Sequence, residues 1–448
     1  MAKAIKGNMT EGSAARALFR FVLPLVCGNL FQQFYNIVDS IIVGNYVGEA
    51  ALAAVGASSA ITALFVMVAT GTGIGCSVVI SNLFGAGKLK TMKTAISTAL
   101  LSILAFSILL SILGLCINKG ILQLMGTPEN IFPDAAAYLQ IYFFGFVFLF
   151  MYNAFSAIFN ALGDSTKPLV FLIISSLMNI GLDILFVTKF RMGVRGVAWA
   201  TLIAQGVSAV LSFCFLLRKL RGIPVEEKPQ IFDFPVLKRM VSVAVPTIIQ
   251  QSIVSIGLLL IQAVVNRFGS TFLAGYTAAI KLDSIAIVPM VAVGNAASTF
   301  VAQNLGAQKP DRIKQGFRIC LAMSAGIGIF IALIMQIFGD TMIGWFMDST
   351  TSQEAISVGT TFLSIVSLFY WLMGIMNVSC GVLRGAADMR WFLTCSLINL
   401  CTRVILSYTL AEATAGLIIM WANPIGWGIG LAIALFRYFQ GGWKKNRI

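Results

Sequence analysis

Histidine is absent from this sequence, and its eight cysteines (27, 76, 116, 214, 320, 380, 395 and 401) lie in apolar stretches without a CxxC pair. Metal binding through Cys and His is thereby disfavoured, and the cysteines read as small buried hydrophobes. Without an imidazole, any proton the protein carries must ride on a carboxylate. No GxxxxGK[ST] loop offers a cradle for nucleotide phosphates, so ATP is not the expected driver and no cofactor is expected. The groups that commonly run chemistry are also missing, so the chain is not expected to be an enzyme. Charge is scarce as well: Asp, Glu, Lys and Arg make up 11% of the residues, against about a quarter in a soluble domain. Period-two alternation is lacking, which argues against a membrane barrel, and no filter-like loop points to a channel. The first residues are polar (Lys3, Lys6, Asn8, Glu11), and the first apolar stretch is long enough to span a membrane. A cleaved signal peptide is therefore not expected.

What fills the sequence is apolar: 58% of the 448 residues are hydrophobic. Bilayer-crossing helices need about 20 mainly apolar residues, and twelve such spans follow one another, which predicts an all-α integral membrane protein. With the N-terminus in the cytoplasm, 24 of the 31 Lys and Arg fall at cytoplasmic ends and five outside, while Lys281 and Arg403 lie within spans. The net charge of +14 is then a positive-inside signal and not a nucleic-acid footprint. This reading puts both termini in the cytoplasm, the chain in the cell (inner or plasma) membrane, and membrane lipid around it.

The longest polar connection, residues 218–237, falls near the midpoint, and the two sides repeat. Pro24 matches Pro246, Asn82 matches Asn304, Gly85 matches Gly306, Asp164 matches Asp388 and Asn179 matches Asn399, at offsets between 220 and 224. The expected domains are a six-helix bundle over 1–217, a cytoplasmic linker over 218–237 and a second six-helix bundle over 238–448. An even number of spans in each half makes them parallel repeats about an axis normal to the membrane.

Polar residues inside the spans mark the candidate site. The first span carries Asn29, Gln32, Gln33, Asn36, Asp39 and Ser40 at spacings near three and four, so they share a face that must meet a cavity or another helix. The fifth carries Ser175, Ser176, Asn179 and Asp183, the fourth Asn153, Ser156 and Asn160, and the sixth Thr201 and Gln205. Of 17 acids only Asp39, Asp183 and Asp283 lie within spans. A mid-membrane carboxylate costs ~3 kcal/mol on the lenient insertion scale, which makes Asp39 and Asp183 the candidates for a cation site. In the second half the stripe is Gln250, Gln251, Ser255, Gln262 and Asn266, and the repeat puts Arg403 opposite Asp183. There, an ion pair of Asp283 with Arg403 or Lys281 is the expected structural role.

The runs QQFYNIVDSIIVGNYVGEAALAAVG, SNLFGAGK with AQNLGAQKPDR, FNALGDSTKP with MNIGLDILFV, LRGAADMR with INLCTR, and GVRGVAWATLIAQ resemble signatures of the multidrug and toxic compound extrusion (MATE) family. That family belongs to the multidrug/oligosaccharidyl-lipid/polysaccharide exporter superfamily. The resemblance implies two six-helix bundles around an alternately opening cleft, exporting small organic, mostly cationic compounds in exchange for Na⁺ or H⁺. It implies a cation-coupling set of Asp39, Asp183 and Asn179, which could hold Na⁺. It also implies pocket roles for Tyr35, Tyr138, Asn153, Ser156 and Thr201, beside the stripe residues Gln32, Gln33, Asn36, Gln251 and Ser255 and the charged Asp283 and Arg403. Spans seven and ten, with Gln250, Gln251, Tyr370 and Trp371, lack the acids of the NorM-like branch, so the arrangement is closer to the DinF-like or MepA-like one. A monomer is expected. A lipid-linked oligosaccharide flippase of the same superfamily is the alternative reading.

Overall fold

Among the described residues the regular element is helix, as long apolar runs dictate where a backbone must satisfy its own hydrogen bonds away from water. The computed structural model describes residues 8–225, 227–346 and 353–445. The first half comprises α1 (Ala14–Ile42), α2 (Glu49–Gly85), α3 (Leu89–Leu124), α4 (Phe132–Phe144), α5 (Phe146–Ala161), α6 (Thr166–Ile184) and α7 (Gly193–Arg221). The second comprises α8 (Phe234–Val265), α9 (Gly269–Ala286), α10 (Val288–Gly306), α11 (Pro310–Gly344), α12 (Gln353–Ser367), α13 (Tyr370–Gly385), α14 (Met389–Leu410) and α15 (Leu417–Gln440).

Among the described residues nine stretches are long and apolar enough to cross a membrane, and two further spans are bent pairs, α4 with α5 at 49° and α12 with α13 at 53°. One of the nine, Phe234–Gly306, runs for 73 residues, and a straight helix of that length would reach far beyond a ~30 Å hydrocarbon core. It divides at Gly269, whose φ is +87°, into α8 and the α9–α10 segment. With that division the described residues carry twelve candidate spans, the number expected. Large side chains such as Leu109, Leu177, Leu259, Phe330 and Ile337 are more than 60% exposed, which only a lipid surround makes inexpensive.

The repeat is visible in the backbone. Helices α2 and α10 end alike: Lys88 N–H donates to Leu83 O (3.1 Å) and Lys309 N–H to Asn304 O (2.9 Å). A left-handed residue precedes each closure, Gly87 at φ +69° and Gln308 at φ +55°. Helices α5 and α13 do the same, with Asp164 N–H on Phe159 O (2.9 Å) and Asp388 N–H on Leu383 O (2.8 Å). In the second half Gln308 and Ala387 replace glycine at these turns, at a cost of roughly 1 kcal/mol each, so the turn geometry outlasts the residue that favours it. Each of the two acids then anchors the last helix of its half: Asp164 pairs with Lys219 on α7 (3.1 Å) and Asp388 with Arg437 on α15 (2.6 Å).

The compact units differ from the sequence halves at two helices. One unit takes Cys27–Ile248, and the other takes Met9–Val26 and Ile249–Ile448. Both changes of unit fall just after the matched prolines, Pro24 in α1 and Pro246 in α8, where each helix lacks a backbone donor. Residues 9–12 are bound into the second unit by α11. Arg312 donates to the carbonyls of Met9 (3.0 Å), Glu11 (2.7 Å) and Gly12 (2.7 Å), and Lys309 donates to that of Thr10 (2.9 Å). Residues of the polar stretch 218–237 are held by α3: Lys93 donates to Ile223 O (2.8 Å), and Thr94 and Thr98 accept from the N–H groups of Gln230 and Asp233 (3.0 Å each).

Inside the second unit, α10 and α13 lie backbone against backbone. A Cβ at Gly381 would come 2.2 Å from Gly294 O, and one at Gly385 2.3 Å from Ser298 O. Small residues are what allow membrane helices to approach this closely. Gly385→Val should therefore destabilise the purified protein by about 1–3 kcal/mol, read as a lower melting temperature in detergent. An unchanged melting temperature would contradict the packing described.

Candidate functional site

The site is built where α1, α4, α6 and α7 meet in the first unit. Asn179 and Asp183 are one turn apart on α6, so they point the same way, and both are buried, at 1% and 0% exposure. Tyr35 and Asp39 repeat that spacing on α1. The two carboxyls, Asp39 and Asp183, lie within hydrogen-bonding reach of each other. One oxygen of each, Oδ1, is buried without a hydrogen-bond partner.

Asn179 ties the three helices together. Its amide is satisfied best with the nitrogen toward the acid: Nδ2 then donates to Asp183 Oδ2 (3.1 Å) and to Tyr35 Oη (2.5 Å), and Oδ1 accepts from the Thr201 N–H (3.0 Å). In the opposite orientation Tyr35 Oη donates to Asn179 Oδ1, and Nδ2 lies 3.4 Å from Thr201 Oγ1. That choice would leave Asp183 without its donor, so the first orientation follows from the network.

Local backbone and packing seal one side. Both acid-bearing helices end in a short π-helical turn, Val43–Val47 after α1 and Leu185–Lys189 after α6, a local widening that often accompanies functional positions. Val43 and Val187 from these turns pack with Ala51, Val194, Val197, Ala198 and Tyr138 in one apolar cluster. Tyr138 stacks on Tyr142, with ring centroids 6.1 Å apart, and its hydroxyl lies close enough to feel both carboxylates.

The structure thus brings Asp39, Asp183, Asn179, Tyr35, Tyr138 and Thr201 together. Gln32 and Asn36 are exposed and Gln33 is half-buried. Asn153 is turned to Leu149 O (2.9 Å) and Thr70 Oγ1 (3.5 Å), and Ser156 sits beside Tyr152. On α8, Gln251 and Ser255 are half-buried, with Ser255 Oγ donating to Gln251 O (3.2 Å).

One expectation for the second half is overturned. Among the described residues neither Arg403 nor Lys281 forms an ion pair with Asp283. Instead Tyr370 Oη donates to Asp283 Oδ1 at 2.8 Å, while Lys281 is exposed and lies 5.8 Å from the Phe346 ring. A neutral phenol satisfies the acid without bringing a second charge into a dry site. Tyr370 was identifiable as a membrane-span tyrosine, but its counterpart under the repeat is the apolar Phe146, so internal symmetry gave no hint of this role. Tyr142 carries no signal beyond its spacing from Tyr138.

Two carboxyls this close, Asp183 buried and Asp39 partly so, repel each other when both are charged, and among the described residues neither is paired with a Lys or Arg. The fold is that of a helical membrane protein with a pair of acids inside its spans. The sequence model of the MatE family matches residues 24–185 and again 246–409, and the chain belongs to that family of multidrug efflux transporters. It is 28% identical to the probable multidrug resistance protein YpnP of Bacillus subtilis over 450 residues, covering 98% of each chain. With the multidrug export protein MepA of Staphylococcus aureus it shares 22% over 377 residues, covering 84% of this chain and 82% of that one. A MOP superfamily transporter from Pyrococcus furiosus has the same fold, at a TM-score of 0.91 and 20% identity over 99% of this chain and all of its own.

Any cation that bound between the two carboxyls would stabilise the folded protein by mass action. Melting of the wild type should therefore rise with added Na⁺ or with falling pH, whichever supplies the cation. Asp183→Asn removes the like-charge contact and should flatten that dependence while keeping or raising the starting melting temperature. A variant that keeps the wild-type dependence would show that the cation binds elsewhere.

Proposed function

We propose that this chain exports small organic compounds, cationic ones first among them, by antiport with Na⁺ or H⁺ taken up at Asp39, Asp183 and Asn179. The observation that carries this reading is the pair of touching carboxyls on α1 and α6, each with a buried oxygen left open. Two carboxylates suit a proton or a monovalent cation better than a divalent one, which would require more oxygen ligands, and Asn179, with its nitrogen toward Asp183, positions that acid. Tyr35 and Thr201 hold Asn179, and Asn179 holds Asp183, so the acid on α6 is fixed and the acid on α1 is the one free to respond.

Coupling requires that the cation favour one conformation over another. α1 supplies a route: it carries Asp39 in one unit and its first turns in the other, with Pro24 just before the change. Neutralising Asp39 against Asp183 alters the bend that α1 prefers at Pro24, and the bound compound is released as the helix changes shape. The positive-inside pattern supports cytoplasmic termini in the cell membrane, and we take the working unit to be a monomer surrounded by membrane lipid.

Asp39→Asn and Asp183→Asn should each reduce gradient-driven efflux of a cationic dye from proteoliposomes by at least roughly a hundredfold, since each removes the charge that the cation must neutralise. Protein yield and melting should stay near wild type. Imposing a Na⁺ gradient and a proton gradient separately identifies the coupling ion. Efflux from either variant at the wild-type rate would remove that acid from the mechanism, and lipid-linked sugar transfer without dye efflux would favour the flippase alternative.

A further inference from the structure

The second unit holds a charge that its own fold leaves unanswered. Arg403 lies within α14, and its Nε is buried without a hydrogen-bond partner. Among the described residues its guanidinium makes no hydrogen bond and no ion pair. Other arginines of this unit are treated differently: Arg384 donates to Asn295 Oδ1 (2.7 Å) and Ser298 Oγ (3.3 Å), and Arg437 is paired with Asp388.

The nearest acid cannot supply the missing partner. Asp283 feels the charge of Arg403 but is bound to Tyr370 and lies outside ion-pair distance. Tyr276, which also neighbours the guanidinium, offers only a neutral oxygen. The space around the side chain is nevertheless built. Gly426 on α15 leaves the room that the Arg403 stem occupies, since a Cβ there would come 2.7 Å from Arg403 Cγ and 2.5 Å from Asn399 Oδ1. Asn399 Oδ1 is a second buried atom without a partner at this place. The side chain as a whole is half-buried, and with Nε sealed its open end is the pair of terminal nitrogens.

A guanidinium costs several kcal/mol in a membrane interior unless something pairs with it, and membrane proteins keep such groups where ligands pass. Its planar fork matches the two oxygens of a carboxylate, a fit that an ammonium lacks. We infer that Arg403 is a substrate-recognition residue, receiving a carboxylate on the exported organic molecule. This rests on the export reading above and narrows its substrate class to amphoteric compounds, which carry an anionic group besides any positive charge. The repeat sharpens the point: Arg403 occupies the place of Asp183, so one half presents an acid to the coupling cation and the other a base to the substrate.

The test uses purified full-length protein and two dyes, a rhodamine with a free carboxylate and its methyl ester, with binding read by fluorescence polarisation at fixed Na⁺ and pH. The wild type should bind the acid about tenfold more tightly than the ester, the worth of one charge-assisted contact. Arg403→Gln should weaken the acid to the level of the ester and leave the ester unchanged. Arg403→Lys keeps the charge without the fork, folds if the neutral variant does not, and should retain only part of the preference. Equal binding of the two dyes by the wild type, or a preference that survives Arg403→Gln, would overturn the assignment. Because the measurement is made at equilibrium without a gradient, it can fail while coupled export through Asp39 and Asp183 stands, and the converse also holds.

Discussion

Contact between the Asp39 and Asp183 carboxyls constrains everything near it. A membrane helix can carry an acid only if the acid is neutralised, paired or wet, and among the described residues neither acid is paired with a Lys or Arg while each interacts with the other. The surroundings are arranged around that conflict. Asn179 donates to one oxygen of Asp183, Tyr35 and Thr201 hold Asn179, and an apolar cluster of Val43, Val187 and their neighbours packs beside Tyr138. The arrangement leaves one oxygen on each acid open. In the reading proposed above, a cation completes the site and its departure restores the conflict. The same pair is thus a poor structural element and a good switch.

The two halves show how a duplicated scaffold diverges. Their helix ends keep the same hydrogen-bonded closures and left-handed residues, and the Asp164 and Asp388 anchors persist with Lys exchanged for Arg. These features fix the backbone and say little about chemistry. Inside the spans the chemistry has changed sign: Asp183 faces Asp39 in the first half, whereas the second has Arg403 in the matching place and an acid bound by Tyr370. The second half can therefore differ in function without differing in fold, because a side chain changes more readily than a helix closure.

Much of this was legible in the residues themselves. Span number, the repeat and the rarity of Asp39 and Asp183 follow from hydropathy, periodicity and the cost of burying charge. The i,i+4 spacings of Tyr35 with Asp39 and of Asn179 with Asp183 already place each pair on one helix face. Three features were not legible. Which face of a polar stripe turns inward depends on packing, so Gln32 and Asn36 resembled Asp39 in the sequence and differ from it in the fold. A long-range partner such as Tyr370 for Asp283 leaves no local signal, and the ion pair expected from charge alone was displaced by it. The passage of α1 and α8 from one compact unit to the other is hidden as well, since each remains a continuous helix through its proline.

The central claim is that Asp39 and Asp183 act as a single cation site and not as two separate acids. Exchange of Na⁺ and H⁺ by the purified protein, counted together by sodium uptake and pH-stat titration, tests it most directly. The account predicts one exchangeable cation per chain in the wild type and none in either Asp39→Asn or Asp183→Asn, although each variant retains one acid. Exchange that persists in either single variant would mean that the two carboxyls bind independently, and would contradict the account.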